Sequence, residues 1–225
     1  MANDNIANDV FSRTSAHGGI ISDGTYNLVM GLALCWGFLV NWWMVKTIPV
    51  ASIASIHPLV FFAGYFASCL FGIYLFNSSK KASVSFIGYN FVVIPFGFII
   101  NIVVARYDTS LVLEAMRITG TVTAIMMVLG SAFPAFFRRI HGALTVALFA
   151  VIIVELVDIF IFKKQHGIID YIVVLIFCGY VGYDWGRANS IPKTVDNAVD
   201  SAAALYMDII NLFLRILRIL GRRRR

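Results

Sequence analysis

An all-α integral membrane protein, a bundle of seven transmembrane helices with the last helix central, is the fold class this sequence predicts, and three observations predict it. Of 225 residues, 60 % are hydrophobic and 13 % charged, with a mean hydropathy of +0.83; a soluble domain meets water with about 25 % charged residues. The apolar residues gather into seven runs, each near the ~20 residues that a bilayer core demands of a helix. The last run carries its polar residues, Asp208, Asn211, Arg215 and Arg218, at i, i+3, i+7 and i+10, one stripe of a helix. Lipid does not solvate such a stripe, so it is expected to face protein or a water-filled path, which sets the seventh helix among the other six; the alternative is an amphipathic helix lying flat in the interface with Arg215, Arg218 and the final arginines toward headgroups.

Taken in order, residues 1–26 are a polar N-terminal tail with no charged-then-apolar signal pattern, so the first span acts as its own insertion signal. The transmembrane domain is 27–221, with spans at 27–45, 57–76, 84–105, 112–136, 142–162, 168–186 and 199–220; residues 222–225 form a basic C-terminal tail. The first span gathers Trp36, Trp42 and Trp43 toward one end, as interfacial anchors. Pro95, Gly97, Gly130, Pro134, Gly179 and Gly182 inside later spans permit kinks or close helix approach. The connections are short, so neighbours pack antiparallel in a single bundle.

The lysines and arginines of the loops leave the orientation open. One side receives Arg13, Lys80, Lys81, Arg138, Arg139, Arg187 and Lys193, which favours a cytoplasmic N-terminus; the other receives Lys46, Arg106, Lys163, Lys164 and the final arginines. Two topologies follow: seven full spans, or six with the last segment dipping in and returning. Segment length favours seven.

Several function classes fall away. The net charge of +6 sits in short clusters between apolar runs, which suits anionic lipid headgroups better than nucleic acid. Cys35, Cys69 and Cys178 lie inside apolar segments at no metal-ligand spacing and read as small buried hydrophobes. His17, His57, His141 and His166 share no spacing and read as interface residues. No cofactor is expected.

The chemistry concentrates in two carboxylates. The sixth span ends in "GYVGYDWGRAN", which places Asp184 in its last turn, and the seventh carries Asp208. A carboxylate at the centre of a membrane helix costs about 2.5–3.5 kcal/mol on insertion scales, so it needs a partner. The intervening "RANSIPKTVDN" supplies a turn. In the antiparallel hairpin this makes, positions 184 and 208 are equidistant from residue 196 and lie at one depth. Two carboxylates brought close in a poorly solvated place do not both stay ionised cheaply, so the pair shares a proton and senses pH. Two carboxylates beside kinked backbone also make a weak calcium site and a poor zinc site. Asp184 alone has a simpler reading, a local pair with Arg187 at i+3. Glu114 is a candidate for lining an ion path, and it too has a local partner in Arg117.

At these residues the sequence resembles the BAX inhibitor-1, or transmembrane BAX inhibitor motif, family, in a bacterial-type form. The likeness lies chiefly in "GYDW" at the end of the sixth span and "AAALYMDIINLFLRILRILG" after it, with a looser match in "VLEAMRITGTVTAIMMVLGS" from Val112. The resemblance implies a seven-helix fold with the last helix central and a calcium leak gated by pH through Asp184 and Asp208. Bacterial relatives carry a latch arginine near the start of the third span; here that neighbourhood reads "NSSKKASVS", which leaves Lys80 or Lys81 for the role without the bidentate fork of arginine. Arg215 and Asn211 are further pore-lining candidates, although Arg215 has no typical counterpart. An intramembrane aspartyl protease of the presenilin type needs "GxGD" and a later "PAL", whereas this chain has "LYMD" and no such tail, so no enzyme is expected. The expected setting is the bacterial inner membrane, as a monomer in the lipid bilayer with calcium as cargo. The alternative is a non-conducting regulator of a membrane protease or of a stress or cell-death partner.

Overall fold

The computed structural model describes residues 19–157 and 167–223. They form eight helices in chain order: α1 (Asp23–Thr47), the short α2 (Val50–Ala54), α3 (Pro58–Ser78), α4 (Ala82–Val104), α5 (Thr109–Ala132), α6 (Pro134–Val157), α7 (Gly167–Ser190) and α8 (Val195–Arg223). No strand occurs among the described residues. Arg13, His17, Asp158, Lys163, Lys164, His166, Arg224 and Arg225 lie outside them.

Composition explains the helices, since in lipid only a helix or a closed barrel satisfies every backbone group from within. Their ends follow from local chemistry. The Ser22 hydroxyl caps α1 by accepting from the Thr25 N–H at 3.2 Å. Pro58 and Pro134 open α3 and α6 at the first helical position, where the missing N–H is no loss. Pro134 also corrects the expected boundary between the fourth and fifth spans. α5 ends at Ala132 and α6 begins two residues later, so Arg138, Arg139 and His141 are helical residues of α6 and not a loop.

Six helices, α1 and α3 to α7, are long and apolar enough to cross a membrane, against the seven expected. The missing one is α8. At 29 residues it is about 43 Å long, ample for a crossing, but Asp196, Asp200, Asp208, Arg215, Arg218 and Arg222 keep it too polar to count by composition. Its environment is protein: Asp196, Asp200 and Asp208 are all buried, as are Leu205, Tyr206, Leu212 and Leu217. The other spans expose the apolar surface that a bilayer solvates, including Leu59 at 75 % and Leu175 at 71 %. Cys35 is exposed as well, contrary to the buried role expected of it, and Cys69 and Cys178 are half-buried. Trp36 gives its indole N–H to Asn90 Oδ1 at 2.9 Å, so it bonds to α4 as well as meeting lipid.

The described residues divide into two compact units. The first holds α1 to α4 and residues 195–204 of α8. In it α3 and α4 touch backbone to backbone, and a Cβ on Gly88 would lie 2.7 Å from the Gly72 carbonyl oxygen. The start of α8 is tied in by buried polar contacts: the Ser85 hydroxyl donates to Asp196 Oδ1 at 2.8 Å, and the Tyr26 hydroxyl bonds Ser201 Oγ at 3.0 Å and the Asn197 carbonyl at 3.3 Å. The second unit holds α5, α6, α7 and α8 from Leu205 onward, and it contains the two aspartates.

Candidate functional site

Asp184 stands two turns before the end of α7, and Asp208 stands near the middle of α8. The α7–α8 connection is short, so the two helices return along each other within the second unit. Residues 184 and 208 meet at one level: their carboxyl groups are within hydrogen-bonding reach of each other. Both side chains are buried, at 5 % and 6 % exposure. Asp184 Oδ1 and Asp208 Oδ2 have no hydrogen-bond partner.

The surrounding helices hold this arrangement tightly. Gly130 of α5 lies against the Gly182 backbone of α7, and on the other side of Gly182 the Phe137 ring of α6 leaves no room for a side chain, with Cζ 2.6 Å from a built Cβ. Glycine is needed at 182 because helices from two directions close on it. Trp185, next to Asp184, gives its indole N–H to Ser131 Oγ of α5 at 2.8 Å, which fixes the rotation of α7.

A guanidinium and an imidazole lie beside the pair. The Arg187 guanidinium, 7 % exposed, lies 3.9 Å from Asp184 Oδ1 at the expected i+3 position. His141 of α6 packs against the two tyrosines that precede Asp184 on α7. Its ring stacks on Tyr183 at 4.0 Å and 23° and meets Tyr180 edge-on at 5.9 Å. Tyr180 in turn donates to Thr145 Oγ1 of α6 at 3.1 Å. With one shared proton on the carboxyls and the charge of Arg187, the group is neutral. Loss of that proton leaves an uncompensated negative charge in a place with little water.

His141 is the neighbour that sequence reasoning missed. The signal was present in the spacing: Phe137, His141 and Thr145 recur every four residues and form the face of α6 that meets α7. It became legible only with the helix start at Pro134.

The remaining candidates are distributed elsewhere. Asn211 donates to the Met207 carbonyl of its own helix at 2.8 Å. Glu114 is half-buried on α5, about 24 Å along that helix from Gly130, an α5 residue that touches α7 near the pair. Lys80 and Lys81 are exposed residues of the first unit, Lys81 at the start of α4. Arg215 forms a bidentate ion pair with Glu155, with Nη2 2.8 Å from Oε2, and also donates to Asp170 Oδ1 at 3.0 Å. Among the described residues, no group of three or more His, Cys, Asp or Glu side chains is placed to hold a metal ion. A cation at the pair would therefore have two carboxylates as its charged ligands.

Comparison with known proteins bears on the same segments. The model of the family described as inhibitor of apoptosis-promoting Bax1 matches residues 21–225. An uncharacterized membrane protein of Streptococcus pyogenes is 29 % identical over 133 residues, which cover 56 % of this chain and 58 % of that protein. The chain thus spans under two thirds of the length of that relative. Bax inhibitor 1 of Schizosaccharomyces pombe is 30 % identical over 174 residues, covering 74 % of this chain and 63 % of the yeast protein. Protein LIFEGUARD 3 of Arabidopsis thaliana is 26 % identical over 217 residues, covering 83 % and 85 %. A helical, multi-pass membrane architecture and a family match running from just before α1 through the whole of α8 lead to one assignment: the chain belongs to the Bax inhibitor-1 family.

Proposed function

We propose that this protein is a pH-sensitive calcium leak channel in which Asp184 and Asp208 form the gate. The observation that carries the reading is the meeting of two buried carboxyls from consecutive helices within hydrogen-bonding reach. A shared proton ties α7 to α8. Its loss creates repulsion that either separates the helices or draws in a cation, so protons and calcium compete for one place. Calcium suits the oxygen-only donor set. It is the cargo, held in passing by two charged ligands. The protein is read as a monomer of the bacterial inner membrane that performs no catalysis.

The test is calcium flux into liposomes at several pH values, comparing the native protein with Asp184→Asn and Asp208→Asn. The expected outcome is a native flux that depends on pH and a flattened response in both variants. Absence of flux at every pH, or an unchanged response in both variants, overturns the reading.

A second reading draws support from the names of the family and its yeast relative: a non-conducting regulator that binds a membrane protease or a stress or cell-death partner. A stable partner that co-purifies equally well with both aspartates neutralised favours it.

A further inference from the structure

A second charged cluster lies toward the other end of the same unit. Glu155 near the end of α6 and Asp170 in the first turn of α7 converge on Arg215, Arg218 and Arg222, which stand at i, i+3 and i+7 on one face of α8. Arg215 grips Glu155 with both arms of its fork and reaches Asp170 Oδ1 at 3.0 Å. Arg218 Nη1 lies 3.2 Å from the same Asp170 oxygen and 3.8 Å from Glu155 Oε1, and Arg222 Nη1 lies 2.7 Å from Asp170 Oδ2. Asp170 is 1 % exposed.

Neutralising two carboxylates takes two guanidiniums, and this cluster has three. Among the described residues the third is more than pairing requires and leaves a net positive charge. Arg215 is also the third member of the stripe that begins at Asp208, about 10 Å further along α8. A cation that passes the aspartate pair and follows this polar face therefore meets fixed positive charge at carboxylates already engaged.

We propose that Arg215, supported by Arg218 and Arg222, is an internal counter-ion that blocks cation passage by holding Glu155 and Asp170, the two carboxylates a permeating calcium ion would otherwise engage. This rests on the channel reading above and adds a specificity-determining barrier to it. Conduction requires the guanidinium to leave these acids, and a half-buried bidentate Arg–carboxylate fork resists that until something competes for one partner. A purely structural clamp would share the contacts but not the consequence, because its two partners are equivalent. For a barrier they are opposites: removing the arginine unmasks negative charge, while removing the acid frees a positive one.

The deciding experiment compares calcium flux through Arg215→Gln and Glu155→Gln in liposomes with that of the native protein. The barrier predicts a severalfold rise for Arg215→Gln and a severalfold fall for Glu155→Gln, with the pH response set by Asp184 and Asp208 kept in Arg215→Gln. Flux changes of the same direction in both variants overturn it. If the native protein passes no calcium at any pH, the channel reading fails, and radioactive calcium binding to the detergent-solubilised protein decides the inference alone. Arg215→Gln should then bind more calcium than the native protein and lose that gain when Asp170→Asn is added; no gain refutes it. Should Arg215→Gln fail to fold, the more exposed Arg218→Gln takes its place in both assays.

Discussion

At the scale of single residues, the central fact is that two carboxyls share a place where one negative charge is already costly. On the proposed reading Arg187 offsets one charge and a shared proton the other, and the fold holds a proton that the unfolded chain, with separated carboxylates, releases. Stability should then fall as pH rises above the ordinary carboxylate range, by at most about 1.4 kcal/mol per pH unit for one proton. Asp208→Asn keeps the volume and the hydrogen bond to Asp184 but removes the second charge. Thermal unfolding in detergent is expected to show the native melting temperature dropping from mildly acidic to alkaline pH and a flatter line for the variant. Parallel lines for the two proteins would mean that the pair holds no proton.

At the scale of elements, the site depends on how closely α5, α6 and α7 approach. Gly130 lies against the Gly182 backbone while Phe137 covers the other side of Gly182, so no side chain fits there without moving a helix or a ring. Gly182→Ala should destabilise the protein by about 1–3 kcal/mol, the usual range for overpacking, and should flatten the pH response by shifting α7. Gly120→Ala on α5 is the control: nothing lies within 4 Å of a Cβ there, and alanine favours a helix over glycine by about 1 kcal/mol. Melting curves of the two variants check both statements, and equal losses would show that the contact at Gly182 is not what holds α7. Pro134 acts at the same scale. By starting α6 at its first allowed position it turns Phe137, His141 and Thr145 toward α7, and the tyrosines beside Asp184 gain their neighbours.

At the scale of the whole molecule, the chain builds two compact units, and α8 contributes residues to both. Large apolar side chains on α1 and α3 to α7 face outward for lipid, while the aspartates of α8 are buried in protein. Six helices qualify as spans on their own composition; α8 is long enough to be the seventh, and its buried aspartates lie in protein. A reporter fused after Arg225 checks the count: with the N-terminus cytoplasmic, seven crossings place it outside and a returning last segment places it inside.

By itself the sequence determined the membrane class, the seven long helices within a few residues except for the start of α6, the hairpin that sets Asp184 level with Asp208, and the family. Those features are written in composition, in apolar run length and in spacing along one chain, and all of them are local. Tertiary structure alone decided the rest. It brought His141 to the neighbourhood of the pair, moved the α5–α6 boundary to Pro134, and turned Arg215 from a pore-lining candidate into a fork on Glu155 that also reaches Asp170. The stripe from Asp208 to Arg218 says that a polar face must be covered. It does not say by what, because partners separated by 45 and 60 residues are chosen by helix packing, and packing depends on side chains from several segments at once.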